Sequence, residues 1–161
     1  MTVMTAEEAR HLLRRLAFAA TPAIASRGMS VDTAFNRLLS VSHMARMPDP
    51  PDAVRVTWTN TALRTSGTSD TQFDALRAEQ LAAHRRAIDA IRVWWLREMI
   101  AGPAPLRENL TLFFEGTFGG STELVDIPQA IHGRNALIRQ RCLGTIPALL
   151  EGLVTDPAMM I

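Results

Sequence analysis

Apolar residues recur at helical spacing along most of the chain, and the breaks between runs fall on proline, glycine and capping residues. Ala9, Leu12, Leu13, Leu16 and Ala17 share one helix face, which predicts a first helix from about Ala6 to Ala19. Thr5 with Glu8 three residues on fits a capping box, in which each residue satisfies an orphan backbone donor of the other. Thr21-Pro22 supplies an N-cap and a first-turn proline for a short second helix ending at Gly28. Ser30 then caps a third, with Val31, Ala34, Phe35, Leu38 and Leu39 on one face.

The texture changes across 45–69. Pro48, Pro50 and Pro51 forbid a regular helix, and Thr57 to Asp70 is rich in Thr, Ser, Asn and Gly. Val54 to Trp58 has strand-like composition, but a single short strand lacks a partner. The segment reads as an irregular surface insertion. Asp70 or Thr71 next caps the longest helix, which Gly102-Pro103 stops at about Ala101. Phe73, Leu76, Leu81, His84, Ile88, Ile91, Trp95 and Met99 form its apolar stripe. Thirty or so residues at the helical rise span roughly 45 Å.

Leu106 to Phe114 is again helical, with Leu106, Leu110, Phe113 and Phe114 facing inward and Arg107, Glu108 and Asn109 outward. The run Gly116 to Ser121 breaks that helix. Pro128 opens another reaching about Leu143, with Gly144 past its end. Pro147 to Val154 forms a further helix, and Thr155-Asp156-Pro157 starts one more. The fold class is therefore all-α: an irregular bundle of about six or seven helices with one long helix and a long irregular loop.

Composition narrows the options further. Hydrophobic residues at 47% and charged residues at 20% suit a folded globular chain, and 161 residues suit one domain. Asp89, Arg92, Arg97 and Glu98 interrupt the most apolar stretch, so no membrane span is expected. The N-terminus lacks a secretory pattern, which sets the cytoplasm as the default and leaves export open if an upstream segment is missing. Cys142 is the sole cysteine, which excludes an internal disulfide and reads as a buried hydrophobe. The 17 basic residues are all arginine, but 16 acidic residues offset them and they are scattered, so no nucleic-acid partner is expected. The lack of lysine excludes Schiff-base and P-loop chemistry within the chain.

A set of short motifs recurs in a known order. His11-Leu12-Leu13-Arg14-Arg15, Phe18 and Thr21-Pro22 are followed by Trp95-Leu96 and Met99. Then come Pro105-Leu106-Arg107-Glu108, Leu112-Phe113, Phe118, Ser121, Arg139, Leu143-Gly144 and Asp156-Pro157-Ala158-Met159. In this order the chain resembles the bacterial family called domain of unknown function 1800, from about Thr5 to Met160. The resemblance imports no settled activity. Two departures stand out. Members commonly follow the Leu-Phe pair with an aromatic residue, two histidines separated by one residue, and Phe; here Phe114 is followed by Glu115, Gly116, Thr117 and Phe118. Members also usually continue for several hundred residues past the Asp-Pro-Ala-Met motif. The resemblance thus implies that 1–161 is the N-terminal part of a single helical domain, truncated after Ile161.

Candidate chemistry is sparse. His11, His43, His84 and His132 include no pair at metal-ligand spacing, so neither a metal nor another cofactor is expected. His84, on the long stripe, reads as a satisfied interior histidine. His11 with Arg14 and Arg15 is the candidate binding face, where the competing reading is a solvated helix surface. Glu115 is the candidate general acid, because neighbouring Phe113, Phe114 and Phe118 would raise its pKa. Arg107 and Glu108 are the other catalytic candidates, although a buried Arg–Glu network tying helices together is preferred. Gly119-Gly120-Ser121 does not form a nucleophile elbow, since Glu123 stands where a glycine is needed. The expected function is a non-catalytic assembly or binding module. Its partner is another protein or the missing remainder of its own domain. The alternative is an enzyme, hydrolytic in the simplest case, whose active site a missing C-terminal portion completes.

Overall fold

The computed structural model describes residues 3–18, 28–55, 69–119, 125 and 127–160. Six α-helices carry the architecture: α1 (Ala6–Leu16), α2 (Val31–Met44), α3 (Asp70–Ala101), α4 (Pro105–Phe118), α5 (Pro128–Arg141) and α6 (Ile146–Val154). Two 3-10 turns, Asp52–Val54 and Pro157–Met159, complete it, and there is no strand among the described residues. The all-α bundle expected from the sequence is therefore what the chain forms. The short helix expected between Thr21 and Gly28 falls mostly outside the described residues, as do most of the Val54–Trp58 strand and the Gly120-Ser121 part of the turn.

The helix starts follow their capping chemistry. At α1 the Thr5 amide donates to Glu8 Oε2 at 2.7 Å and the Glu8 amide donates to Thr5 Oγ1 at 3.2 Å, completing the capping box. This helix stops at Leu16, earlier than its apolar pattern suggests. Gly28, at φ 107°, takes a left-handed turn that a side chain would oppose, just ahead of the Ser30 cap of α2. Ser69, not Asp70 or Thr71, caps α3, and it forms a second capping box with Gln72.

Two expectations along α3 and α4 need correction. The 32 residues of α3 bury side chains only from His84 onward, namely His84, Ala87, Ile88, Ile91 and Met99. Leu76, which the stripe placed inward, is 51% exposed. The reason is tertiary: α4, α5 and the Asp52–Val54 turn pack on α3, and periodicity alone could not say how far along the helix they reach. Gly116 does not end α4, which runs on to Phe118. One glycine costs a helix only about 1 kcal/mol, and Gly119 makes the cap instead, where a Cβ would collide with the Glu115 carbonyl oxygen. The last expected helix shrinks to the Pro157–Met159 turn, capped by Asp156 Oδ1, which accepts from the Ala158 amide at 2.7 Å.

At the centre, α4 and α5 lie against each other, with α2, α3 and α6 around them. Leu13, Ala17, Ala34, Leu38 and Leu106 join α1, α2 and α4. Phe114, Ile138, Cys142, Leu149 and Leu153 join α4, α5 and α6. A third group, Ile88, Val125, Ile131 and Ala158, seals α3 against α5 and the C-terminal turn. These apolar layers leave the middle of the α4–α5 interface to charged side chains.

Candidate functional site

The hydrophobic pattern of α4 holds for Leu106 and Phe114, which are buried, but fails at three positions. Arg107 and Glu108 are buried, whereas Phe113 is 60% exposed. The partners across the interface explain this. On α5, Ile131, Arg134, Asn135, Ile138 and Arg139 occupy one buried face at the spacing usually filled by apolar residues. Arg139 Nε donates to Glu108 Oε1 at 2.9 Å and Nη2 donates to Oε2 at 2.7 Å, a bidentate pair with both side chains almost fully buried. From α3, Trp95 Nε1 donates to Glu108 Oε2 at 3.2 Å. The Arg139 guanidinium also lies 4.9 Å from the centre of the Trp94 ring, within cation–π range.

Trp94 ties this network to the proline-rich segment, because its Nε1 donates to the Asp49 carbonyl at 3.0 Å. Its ring lies 5.3 Å from that of His132. Burial, helped by the nearby Arg139 charge, holds the His132 pKa below its ordinary value. Arg107 points the other way from Glu108. Its Nη1 and Nη2 donate to the Ala45 and Arg46 carbonyls at 2.9 and 3.1 Å, closing the C-terminal end of α2. Burial lowers the Arg107 pKa, while Glu108 pulls it back up. Cys142 is buried as expected, near Thr111 Oγ1 and the Arg107 carbonyl, and burial raises its pKa.

Further along α4, Glu115 accepts from Arg134 Nε at 3.2 Å. Its side chain is 12% exposed and that of Arg134 is 4% exposed. Burial raises the Glu115 pKa; Arg134 and then Asn135 oppose the shift, and the Asp156 carboxylate adds to it. Glu115 and Arg134 thus form a second ion pair in the α4–α5 interface, separate from Glu108–Arg139. Arg107, Glu108 and Glu115 all belong to this one interface. His11, Arg14 and Arg15 do not join it, since they lie on the exposed face of α1. His84 is 2% exposed within α3. Among the described residues, no group of three or more His, Cys, Asp or Glu side chains could hold a metal ion.

A shallow groove of about 560 Å³ runs between Pro51, Asp52 and Ala53 on one side and Asp89, Val93, Trp94 and Arg97 on the other. Sequence patterning did not point to this groove, nor to Arg134 and Asn135. The usable signal for the latter two was their spacing from Ile131 and Ile138, which puts them on the same α5 face.

The family model described as "Protein of unknown function (DUF1800)" matches residues 11–161. The chain belongs to the DUF1800 family. No curated protein and no solved structure matches it. The description of DUF1800 carries no activity, so the chemistry of this member has to be argued from its own side chains. Several motifs that suggested DUF1800 turn out to meet in space. Trp95 of the Trp-Leu pair, Glu108 of the Pro-Leu-Arg-Glu run and the separate Arg139 form one hydrogen-bonded set. No helix of this DUF1800 chain, among the described residues, is long and apolar enough to cross a membrane.

Proposed function

We propose that the chain is a non-catalytic assembly or binding module whose partner is a protein surface. The supporting observation is how its charged candidates are used. Arg107 closes the end of α2 through both Nη atoms, and Glu108 is engaged by Arg139 and Trp95, so both are used to hold helices together. Meanwhile Ile146, Leu150 and Val154 occupy successive turns of one α6 face at 50%, 39% and 75% exposure. Such a stripe is what an apolar partner face would cover. The same face, uncovered, drives self-association of the isolated chain. Sedimentation velocity should show concentration-dependent association of the unmodified chain, and Val154→Glu should abolish it without changing the melting temperature. A monodisperse monomer with a cooperative melt sinks this reading.

One observation favours a second reading, an enzyme of hydrolytic type. Burial raises the Glu115 pKa, as suits a general acid, and Arg134 holds the carboxyl in place. Other segments or subunits would have to supply the remaining groups. The raised pKa also has a thermodynamic consequence. A carboxyl whose folded pKa lies above its unfolded one contributes stability that is fully present below the unfolded value and is lost as pH rises through the folded value. Glu115→Gln should therefore gain on the unmodified chain as pH climbs above the ordinary carboxylate range. Chemical melts at several pH values test this, and a stability difference that is flat with pH, or falls as pH rises, contradicts the raised pKa.

A further inference from the structure

Two helices of the bundle show solvent a row of apolar side chains besides the face they bury. On α3, Ala87, Ile88, Ile91 and Met99 are turned into the core, while Val93, Leu96 and Ile100 lie exposed on the opposite side. On α6, Leu149, Gly152 and Leu153 are buried, while Ile146, Leu150 and Val154 are exposed. Each row covers about two turns, roughly 10–12 Å at the helical rise. Rows of this kind are uncommon on a face that meets only water.

Each row also has one charge beside it, and the two charges are opposite. Arg97 stands three residues before Ile100, and Glu151 stands three residues before Val154. Both are exposed, and neither makes an ion pair among the described residues. Near the start of the α3 row, by contrast, Asp89 is already paired with Arg92 at 2.9 Å. The equal offset puts Arg97 and Glu151 on the same side of their rows. Two helices laid face to face bring like sides together when they run antiparallel. The chain therefore carries both halves of one contact, matched in length and in apolar character and opposite in charge.

We propose that the α6 face of one copy docks antiparallel on the outer α3 face of a second copy. This rests on the reading of α6 as a partner surface and names that partner. Val154 then covers Val93, Leu150 covers Leu96 and Ile146 covers Ile100, with the Glu151 carboxylate within about one turn of the Arg97 guanidinium. The two surfaces differ, so the contact is head-to-tail. Each added copy leaves an α3 face and an α6 face open, and assembly continues unless the rotation closes a ring. Two faces of two turns fall short of the roughly 800 Å² per partner of a standard stable interface, so the association is weak and rises with concentration.

Charge reversal in the full chain tests this by sedimentation velocity. Arg97→Glu and Glu151→Arg should each weaken association about tenfold or more, because either one sets like charges against each other. An equimolar mixture of the two variants should recover the association of the unmodified chain, since every contact between unlike copies again joins opposite charges. Both variants should melt within about 1 °C of the unmodified chain, as exposed charges contribute little to folding. Leu96→Asp should abolish association as Val154→Glu does. Association that survives Arg97→Glu and Leu96→Asp but is lost in Val154→Glu means that α6 meets some other surface, which overturns this proposal and leaves the reading of α6 standing. A mixture that stays as weak as its components overturns it too. A monomeric unmodified chain overturns both.

Discussion

Glu108→Gln should destabilise the protein by about 3–5 kcal/mol, the usual range when one partner of a buried ion pair is removed. The substitution keeps the size of the side chain, so cavity formation does not contribute. It leaves the Arg139 guanidinium buried at 1% exposure without a counter-charge. It also weakens the acceptor for Trp95 Nε1. For a chain of this length each kcal/mol moves the melting temperature by roughly 2–4 °C, so the fall should be on the order of 10 °C. Urea denaturation followed by far-ultraviolet circular dichroism measures it. The double variant Glu108→Met/Arg139→Met should recover much of the loss, because an apolar pair incurs no charge burial. A loss below about 1 kcal/mol for Glu108→Gln would mean that water reaches the pair in solution.

The second large effect should come from α6, where adjacent leucines have opposite roles. Leu149 is 1% exposed and packs with Phe114, Ile138, Cys142 and Leu153. Its neighbour Leu150 is 39% exposed. Leu149→Ala should cost about 2–5 kcal/mol, the sum of lost transfer energy and an incompletely collapsed cavity. Leu150→Ala should stay within about 0.5 kcal/mol, as surface changes usually do. Thermal melts of the two variants side by side check the orientation of the helix. Similar losses at both sites would place Leu150 in a packed interface in solution and so strengthen the assembly reading.

Much of this fold is written in local signals. Thr5–Glu8, Ser30, Pro105, Pro128 and Gly102 mark helix boundaries because capping and proline chemistry act within a few residues. What local signals could not reveal is which face turns inward when the core itself is charged. The pattern along α4 puts Arg107 and Glu108 outward, while their residue types suit a buried Arg–Glu network; Arg139, Trp95 and the end of α2 are the partners that bury them. The same holds for Arg134 and Asn135, whose place beside Glu115 depends on how α4 and α5 cross. The burial of Cys142 is legible because a free cysteine behaves as a small hydrophobe, and that of His84 because it lies on the apolar stripe of α3. The outer half of α3 was misjudged for the opposite reason: its stripe is real, but the packed part of the bundle begins at His84.

The two consecutive residues Arg107 and Glu108 also bear on how the molecule opens. One reaches back 62 residues along the chain to Ala45, and the other reaches forward 31 residues to Arg139. Peeling away α2 strands the Arg107 guanidinium, and peeling away α5 strands the Glu108 carboxylate. Either departure exposes its charge in a half-open interior that solvates it poorly. Partial opening is therefore penalised at α4 from both sides, which couples α2, α4 and α5 into one cooperative unfolding unit. The first turns of α3, which bury no side chain before His84, lie outside that unit and can fray without disturbing it.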